Sequence, residues 1–346
     1  MSEPTLDILG IGNAIVDVLA RADDDFLVTH GLDKGGMRLV DAGEADKLYG
    51  VMGPGVESSG GSAGNTCAVA AALGAKVGFL GKVADDQLGR VFAHDIRAAG
   101  VHFPTAPLDG EAAAATPTAR CLILVTPDAQ RTMNTFLGAC VTFSAADVDP
   151  DEVARAKVVY LEGYLFDPPA AQEAFFEASD AAHAAGRLVA LSLSDAFCVE
   201  RHRAAFRRFL REETDILFAN ESEILSLYQT DDFETAATLV RQDVGMAALT
   251  RGEKGSVVIA GEERHEIAAV PTEVVDTTGA GDAYAAGFLA ALTQKLPLVD
   301  CGRWGAIAAA EVISHFGARP LANLKALVAV PENPLLGNPP VASVLG

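Results

Sequence analysis

Short, mostly apolar runs alternate with stretches of helical periodicity along almost the whole chain. Leu6–Gly10, Val77–Leu80, Val158–Leu161, Leu188–Leu193, Asp215–Phe218, Ala247–Thr250 and Val257–Ala260 have the length and branched composition of buried strands. Asp85–Ala99 sets Leu88, Phe92, Ile96 and Ala99 on one stripe and stops before Gly100, a residue suited to ending a helix. Ala280–Leu292 and Arg303–Phe316 read as Ala-rich helices that pack closely. Strands separated by helices predict βαβ units, hence an α/β fold built on a mostly parallel sheet.

Two stretches break that rhythm. Residues 13–49 and 109–140 carry alternating runs without matching helices: Ile15–Leu19, Met37–Val40, Cys121–Val125 and Arg131–Leu137. They predict a small β-structure inserted as a lid, against the alternative of extra edge strands on the main sheet. The expected core is then 1–12, 50–108 and 141–330, with a Pro-rich surface tail at 331–346. No internal repeat or low-complexity segment is visible.

Composition narrows the function classes. The 346 residues are 50% hydrophobic and 21% charged, a globular balance. A net charge of -21, from 26 Lys+Arg against 47 Asp+Glu, repels nucleic acid and anionic lipid, so neither is an expected partner. Five scattered cysteines form no CxxC pair and fit reduced thiols. With no signal-peptide pattern and no long uncharged apolar run, the expected location is the cytoplasm and no membrane partner is expected.

The strongest chemical signal is Asp276-Thr277-Thr278-Gly279-Ala280-Gly281-Asp282, just before an Ala-rich helix. A turn stripped of side chains at a helix start points backbone N–H groups and the positive dipole end at an anion. Asp282 follows in the first turn, where it is expected to be ionised and to serve as general base for a hydroxyl attacking a phosphate. The competing reading makes it a plain capping carboxylate. No Lys precedes Ser or Thr, so no Walker A loop is present, and Gly10-Ile11-Gly12 lacks the third glycine of a dinucleotide fingerprint. A second signal is Gly60-Gly61-Ser62-Ala63-Gly64-Asn65, opening another helix. It permits close approach of a ligand, with Asn65 offering both a donor and an acceptor; the alternative is a structural Gly-Gly turn.

Gly60-Gly61-x-x-x-Asn65 and the Asp276–Asp282 run together resemble the two signatures of the PfkB carbohydrate kinase, or ribokinase-like, family, over about residues 5 to 325. The resemblance implies a mostly parallel sheet flanked by helices on both faces, a β lid, ATP, Mg²⁺ and a hydroxymethyl acceptor. Gly12-Asn13-Ala14-Ile15-Val16-Asp17, Ser192–Phe197 and Thr214–Glu223 are most similar to segments of the family's adenosine kinases.

That similarity implies roles residue by residue. Asp17 takes two ribose hydroxyls, with Asn65 and the Gly61 N–H completing the grip, while Asn13 and Ser62 lie near the base. Tyr164 and Phe197 flank the purine, unless they are ordinary core. Asn220 and Glu223 organise Mg²⁺ and its waters, and Arg131 closes over the transferring phosphoryl group held by Gly279, Ala280 and Gly281. Thr250, Arg251, Gly252 and Gly255 touch the nucleotide; Asp276 and Thr278 are candidates for a monovalent cation, K⁺. Gly305-Ala306-Ile307 is apolar where those kinases often carry a polar ring residue beside the nucleotide base. The expected partners are ATP and a nucleoside or sugar, bound by a monomer or homodimer. A sugar or other nucleoside kinase of the same family, and a catalytically idle nucleoside sensor, are the alternatives.

Overall fold

Among the residues that the computed structural model describes, 3–128 and 130–330, the larger of two sheets has nine strands. From one edge they run Glu263–Ile267, Ser256–Ala260, Met246–Thr250, Ile216–Asn220, Leu188–Ser192, Ala156–Glu162, Leu6–Ile11, Val77–Leu80 and Val101–His102. The first two join antiparallel and the rest pair in parallel. The expected tail at 331–346 lies outside the described residues.

Strand alternation divides the core into two layers. Ile8, Val158, Tyr160, Ala190, Phe218 and Ala248 face one layer, where they meet the helices Ser62–Ala72, Ala280–Thr293 and Leu298–Ile313. Leu9, Val159, Leu161, Leu191, Leu217 and Leu249 face the other, under the helices Pro169–Ala184, Ala196–Glu213 and Phe233–Asp243. Burial on both faces is why these strands read as unbroken apolar runs.

The predicted helix over 85–99 spans Gln87–Ala98, capped by Asp86, whose side chain accepts from the Gly89 N–H, and followed by Gly100 at φ +88. The helix expected over 303–316 begins at Leu298 and stops at Ile313. In its first turn Leu298 packs against the core while Val299 is exposed.

The second sheet is the lid. Its order is Met37–Leu39, Arg131–Phe136, Ala119–Val125, Ile15–Arg21 and Gly55–Gly60. The last strand falls in the expected core segment 50–108; its polar sequence, GVESSG, hides the pairing with Ile15–Arg21. The lid segments are not free of helix either. Asp24–Thr29, Ala42–Val51 and Gly110–Ala115 are helical. They are short and bury few residues, leaving little periodicity to read, although Asp41 and Glu44 form a reciprocal capping box at the second of them. Leu27, Ala45 and Leu48 pack on the outer face of the lid against Val18, Leu122 and Leu124. The inner face is left open toward the main sheet.

Candidate active site

The carboxyl ends of the parallel strands converge on one edge of the main sheet, the usual place for ligands in open α/β sheets. Glu162, Ser192, Asn220 and Thr250 end successive strands there, and the lid's inner face lies opposite. Between them is a cavity of about 430 Å³, within the range of small-molecule sites. Asn13, Asp17, Gly61, Ser62, Asn65, Arg131, Tyr164, Asn220, Glu223, Thr250, Gly252, Thr278 and Gly279–Asp282 all line it.

The anion hole is formed at the start of the helix Ala280–Thr293. Gly279 caps this helix with φ +75 and ψ 8, a left-handed geometry that favours glycine. A Cβ there would also come within 2.7 Å of the Ala318 Cβ. Around Gly281 there is open space, room that a phosphoryl group can fill. The Ala280 N–H makes only a long bond, 3.3 Å, to the Thr277 carbonyl. Helix-start N–H groups lack intrahelical acceptors, so this turn offers donors and a positive dipole end to one anion.

Asp282 projects from the same turn. The Ser62 hydroxyl donates to its Oδ1 at 2.7 Å and the Asn65 amide to its Oδ2 at 3.2 Å. Burial raises its pKa above the ordinary carboxylate value, while Ser62, Asn65, Arg131 and Arg319 pull it back down. The dominant effect is burial, which makes Asp282 a stronger base than an exposed aspartate. Ser62, expected near a purine, instead donates to the Asp282 carboxylate.

On the acceptor side, Gly61 has φ +80 and ψ 145, and its N–H bonds the Asp17 carboxylate. Burial pushes Asp17 up to about 7, opposed by Arg319 and reinforced by Asp282. Asn13 is fastened rather than free: its backbone and side-chain N–H groups both donate to Glu162 Oε1, at 3.3 and 2.7 Å. Glu162 Oε2 accepts from the Ala63 N–H at 2.7 Å, so one buried carboxylate joins two of the chain's crossings between core and lid. Burial lifts Glu162, too, to about 7. Sequence reasoning passed over Glu162; its signal was a lone acid ending an apolar strand.

Asn220 and Glu223 form a capping box. The Asn220 N–H and side-chain amide donate to the two Glu223 oxygens at 2.8 and 2.6 Å, and the Glu223 N–H donates back at 2.9 Å. Among the described residues, no three His, Cys, Asp or Glu side chains cluster as a metal cage. The donors fit Mg²⁺ held through water: Glu223 is buried, pushed up to about 7 by burial, and gains from a nearby cation. Glu223→Gln is expected to raise the Mg²⁺ concentration for half-maximal rate about tenfold or more, read from an Mg²⁺ titration at fixed ATP.

Several expected residues stand elsewhere. Phe197 is 74% exposed, because Cys198 and Val199 take the buried face of that helix's first turn; it does not flank the cavity. Arg251 turns away from the cavity, pairing with Glu221 at 2.9 Å and lying 3.8 Å over the Phe233 ring. Gly255 makes the turn between two strands, its carbonyl accepting from the Arg251 N–H at 2.8 Å. Asp276 is fully buried; one oxygen accepts from the Thr278 N–H and hydroxyl at 2.9 and 2.6 Å, the other from the Gly317 N–H at 2.9 Å. In the Gly305–Ile307 stretch, Gly305 packs against Tyr284 and Ile307 is core.

Asp17, Glu162 and Glu223 share a consequence for stability. Each has a folded pKa near 7, above its value in the unfolded chain. The native state therefore holds the extra protons between about pH 4 and 7, and in that window stability rises as pH falls. Calorimetry of the ligand-free protein is expected to show greater stability at pH 6 than at pH 7.5, by on the order of 1 kcal/mol.

A helix-start anion hole beside a hydrogen-bonded carboxylate, on a parallel sheet and under a lid, defines an enzyme that moves a phosphoryl group to an alcohol. A family model described as pfkB family carbohydrate kinase matches residues 52–324. The chain belongs to that family and is an ATP-dependent phosphotransferase. It is 53% identical to the adenosine kinase from Sinorhizobium meliloti, over 93% of this chain and 98% of that one, with a TM-score of 0.87. A probable sugar kinase from Rhizobium etli CFN 42 is 50% identical, over 93% and 97%, with a TM-score of 0.88. The 5-dehydro-2-deoxygluconokinase of Geobacillus kaustophilus (strain HTA426) is 28% identical over 264 residues, 74% of this chain and 78% of that protein. No helix among the described residues is long and apolar enough to cross a membrane.

Proposed function

We propose that the protein transfers the γ-phosphoryl group of ATP to the 5′-hydroxyl of adenosine, giving AMP and ADP. The observation that carries this reading is the wall of the acceptor compartment. Ile15, Met37, Leu39, Ile123, Met133 and Leu137 line it from the lid. Apolar and thioether groups suit the faces of a flat purine ring. A sugar or sugar acid has no flat ring to set against this wall and would leave the wall's apolar surface uncovered. The likeness to an adenosine kinase at 53% identity supports the same choice.

In this reading Asp17, with the Gly61 N–H behind it, accepts from the two ribose hydroxyls, and Asn13 and Tyr164 border the ring. The 5′-hydroxyl then faces Asp282, which takes its proton as the oxygen attacks the γ-phosphorus in line. The P–O bond to the β-phosphate breaks and ADP departs. The turn Gly279–Gly281 and Arg131 stabilise charge on the transferring group. Asn220 and Glu223 would hold Mg²⁺ through water, and the ion would supply charge neutralisation to the phosphates. Thr250 and Gly252 border the donor end of the cavity. Asp276 and Thr278 remain candidates for K⁺ only after exchange of the protein hydrogen bonds they already make.

An ADP-release assay over adenosine, guanosine, inosine, ribose, fructose and 5-dehydro-2-deoxygluconate tests the acceptor. Adenosine is expected to lead by kcat/KM, by about 100-fold over ribose, since a lost ring removes most of the buried contact. A sugar or sugar acid in first place overturns the adenosine reading and leaves the phosphotransferase class intact. No turnover of any acceptor would favour the nucleoside sensor.

A further inference from the structure

Arg319 belongs to neither signature and does not line the cavity, yet it faces both site aspartates from behind. It sits in the loop 317–322, which is pinned at both ends. The Gly317 N–H donates to Asp276 Oδ2 at 2.9 Å, and the Leu321 and Ala322 N–H groups donate to Glu311 Oε1 at 2.9 and 2.7 Å. From that support the guanidinium reaches the residues on either side of the Gly60–Ser62 turn. Nη1 donates to the Gly64 carbonyl at 3.1 Å, and Nη2 to the Ser59 hydroxyl at 2.8 Å and to the Ser59 carbonyl. Ser59 is itself held by Asp95, which accepts its N–H at 2.8 Å and its hydroxyl at 2.6 Å. The gripped turn is the one that sets the Gly61 N–H on Asp17 and the Ser62 hydroxyl on Asp282.

We propose that Arg319 is a positioning residue of the phosphotransfer site, locking the Gly60–Ser62 turn and placing a fixed positive charge behind Asp17 and Asp282. The role assigned to Asp282 rests on the reading of it as the base. Charges around the pair show why a second cation matters. Asp17 faces Arg319, Asp282 and Arg131, with the Cys121 thiol beside it. Asp282 faces Arg131, Arg319, Asp17, Glu162 and Glu223, together with the phenols of Tyr160 and Tyr164. Among the described lining residues Arg131 is the sole cation, set against the carboxylates of Asp17, Glu162, Asp167, Glu223 and Asp282, of which Asp17, Glu162 and Glu223 each face Asp282. Burial draws the Arg319 pKa down, and Asp95, Asp17 and Asp282 push it back up, the reciprocal of its effect on Asp17 and Asp282. Arginine suits the task because it stays charged while its fork bonds two elements at once.

The test compares Arg319→Gln and Arg319→Lys in the full chain, using whichever acceptor of the panel the wild type turns over best. For Arg319→Gln the acid limb of the kcat/KM–pH profile is expected to move up by about one unit, with about a tenfold loss at pH values below that limb. Arg319→Lys, which keeps the charge but not the fork, is expected to leave the limb in place and raise KM for the acceptor about tenfold. A merely structural arginine would lower the melting temperature without moving the limb, and an unmoved limb in a folded Arg319→Gln overturns the charge role. Should Arg319→Gln not fold, Arg319→Lys decides alone: an unchanged KM overturns the proposal. The Asp282→Asn variant separates the two readings. Turnover retained there removes the base assignment, whereas an unmoved Arg319→Gln limb beside an inactive Asp282→Asn removes only the role given to Arg319.

Discussion

Asp282→Asn is expected to lower kcat by about a thousandfold or more while leaving nucleoside affinity within about threefold, because a general base contributes roughly 10²–10⁴ in rate and this substitution removes only the proton acceptor. The site tolerates the amide for a structural reason. The two Asp282 oxygens accept from a hydroxyl that can rotate, Ser62, and from an amide that can flip, Asn65. The new NH₂ can therefore be met by an oxygen without backbone movement. Loss of a charge that burial disfavours also means that the melting temperature is expected to stay level or rise. A coupled ADP-release assay and a calorimetric titration with adenosine check the two halves. Turnover within tenfold of wild type sinks the assignment.

Gly61→Ala is expected to damage both fold and activity, although it adds one methyl group. At φ +80 and ψ 145 the backbone lies close to a region essentially reserved for glycine, which costs any other residue about 1–3 kcal/mol. The added Cβ would come within 2.2 Å of the Asn13 carbonyl oxygen and 3.3 Å of its carbon. Those atoms cannot retreat, since Asn13 is tied to Glu162 and Glu162 to Ala63 on the other crossing. Relief must come from the turn itself, which carries Asp17's N–H donor, the Ser62 hydroxyl and Asn65. A displacement on the order of 1 Å at such groups costs about 100-fold in kcat/KM. Thermal unfolding should fall by several degrees. The control is Gly64→Ala, three residues on in the same helix, where an added Cβ meets nothing within 4 Å. That variant is expected to match wild type in both measurements, and equal damage from the two would remove the explanation.

Much of the fold was legible because burial on both faces writes parallel strands as apolar runs, and Gly100 and Asp86 mark the ends of a helix in plain residue chemistry. Four strands of the second sheet were legible from alternation, which left open whether they formed a separate lid or extended the main sheet. The lid's Gly55–Gly60 strand was not, since an edge strand with a polar sequence gains its place only by pairing with Ile15–Arg21. Among site residues, the Gly-rich turns were legible because a helix start without side chains has few structural uses. Phe197 and Arg251 were misplaced for a shared reason. A residue's number in a motif says which turn it occupies, whereas the direction of its side chain depends on which neighbours claim the buried face.

By itself the sequence determined the α/β class, the two Gly-rich turns that open helices, and Asp282 in the first turn of one of them, because each follows from local backbone chemistry within a few residues. The tertiary structure alone decided what those residues touch. Ser62 bonds Asp282 220 positions away, Glu162 staples two chain crossings 149 and 99 positions from it, and Arg319 reaches back 260 positions to Ser59. Hydrogen-bond partners and electrostatic neighbours depend on distance in space, and no local pattern encodes a contact between segments that meet only when the sheet, the lid and the C-terminal loop are assembled.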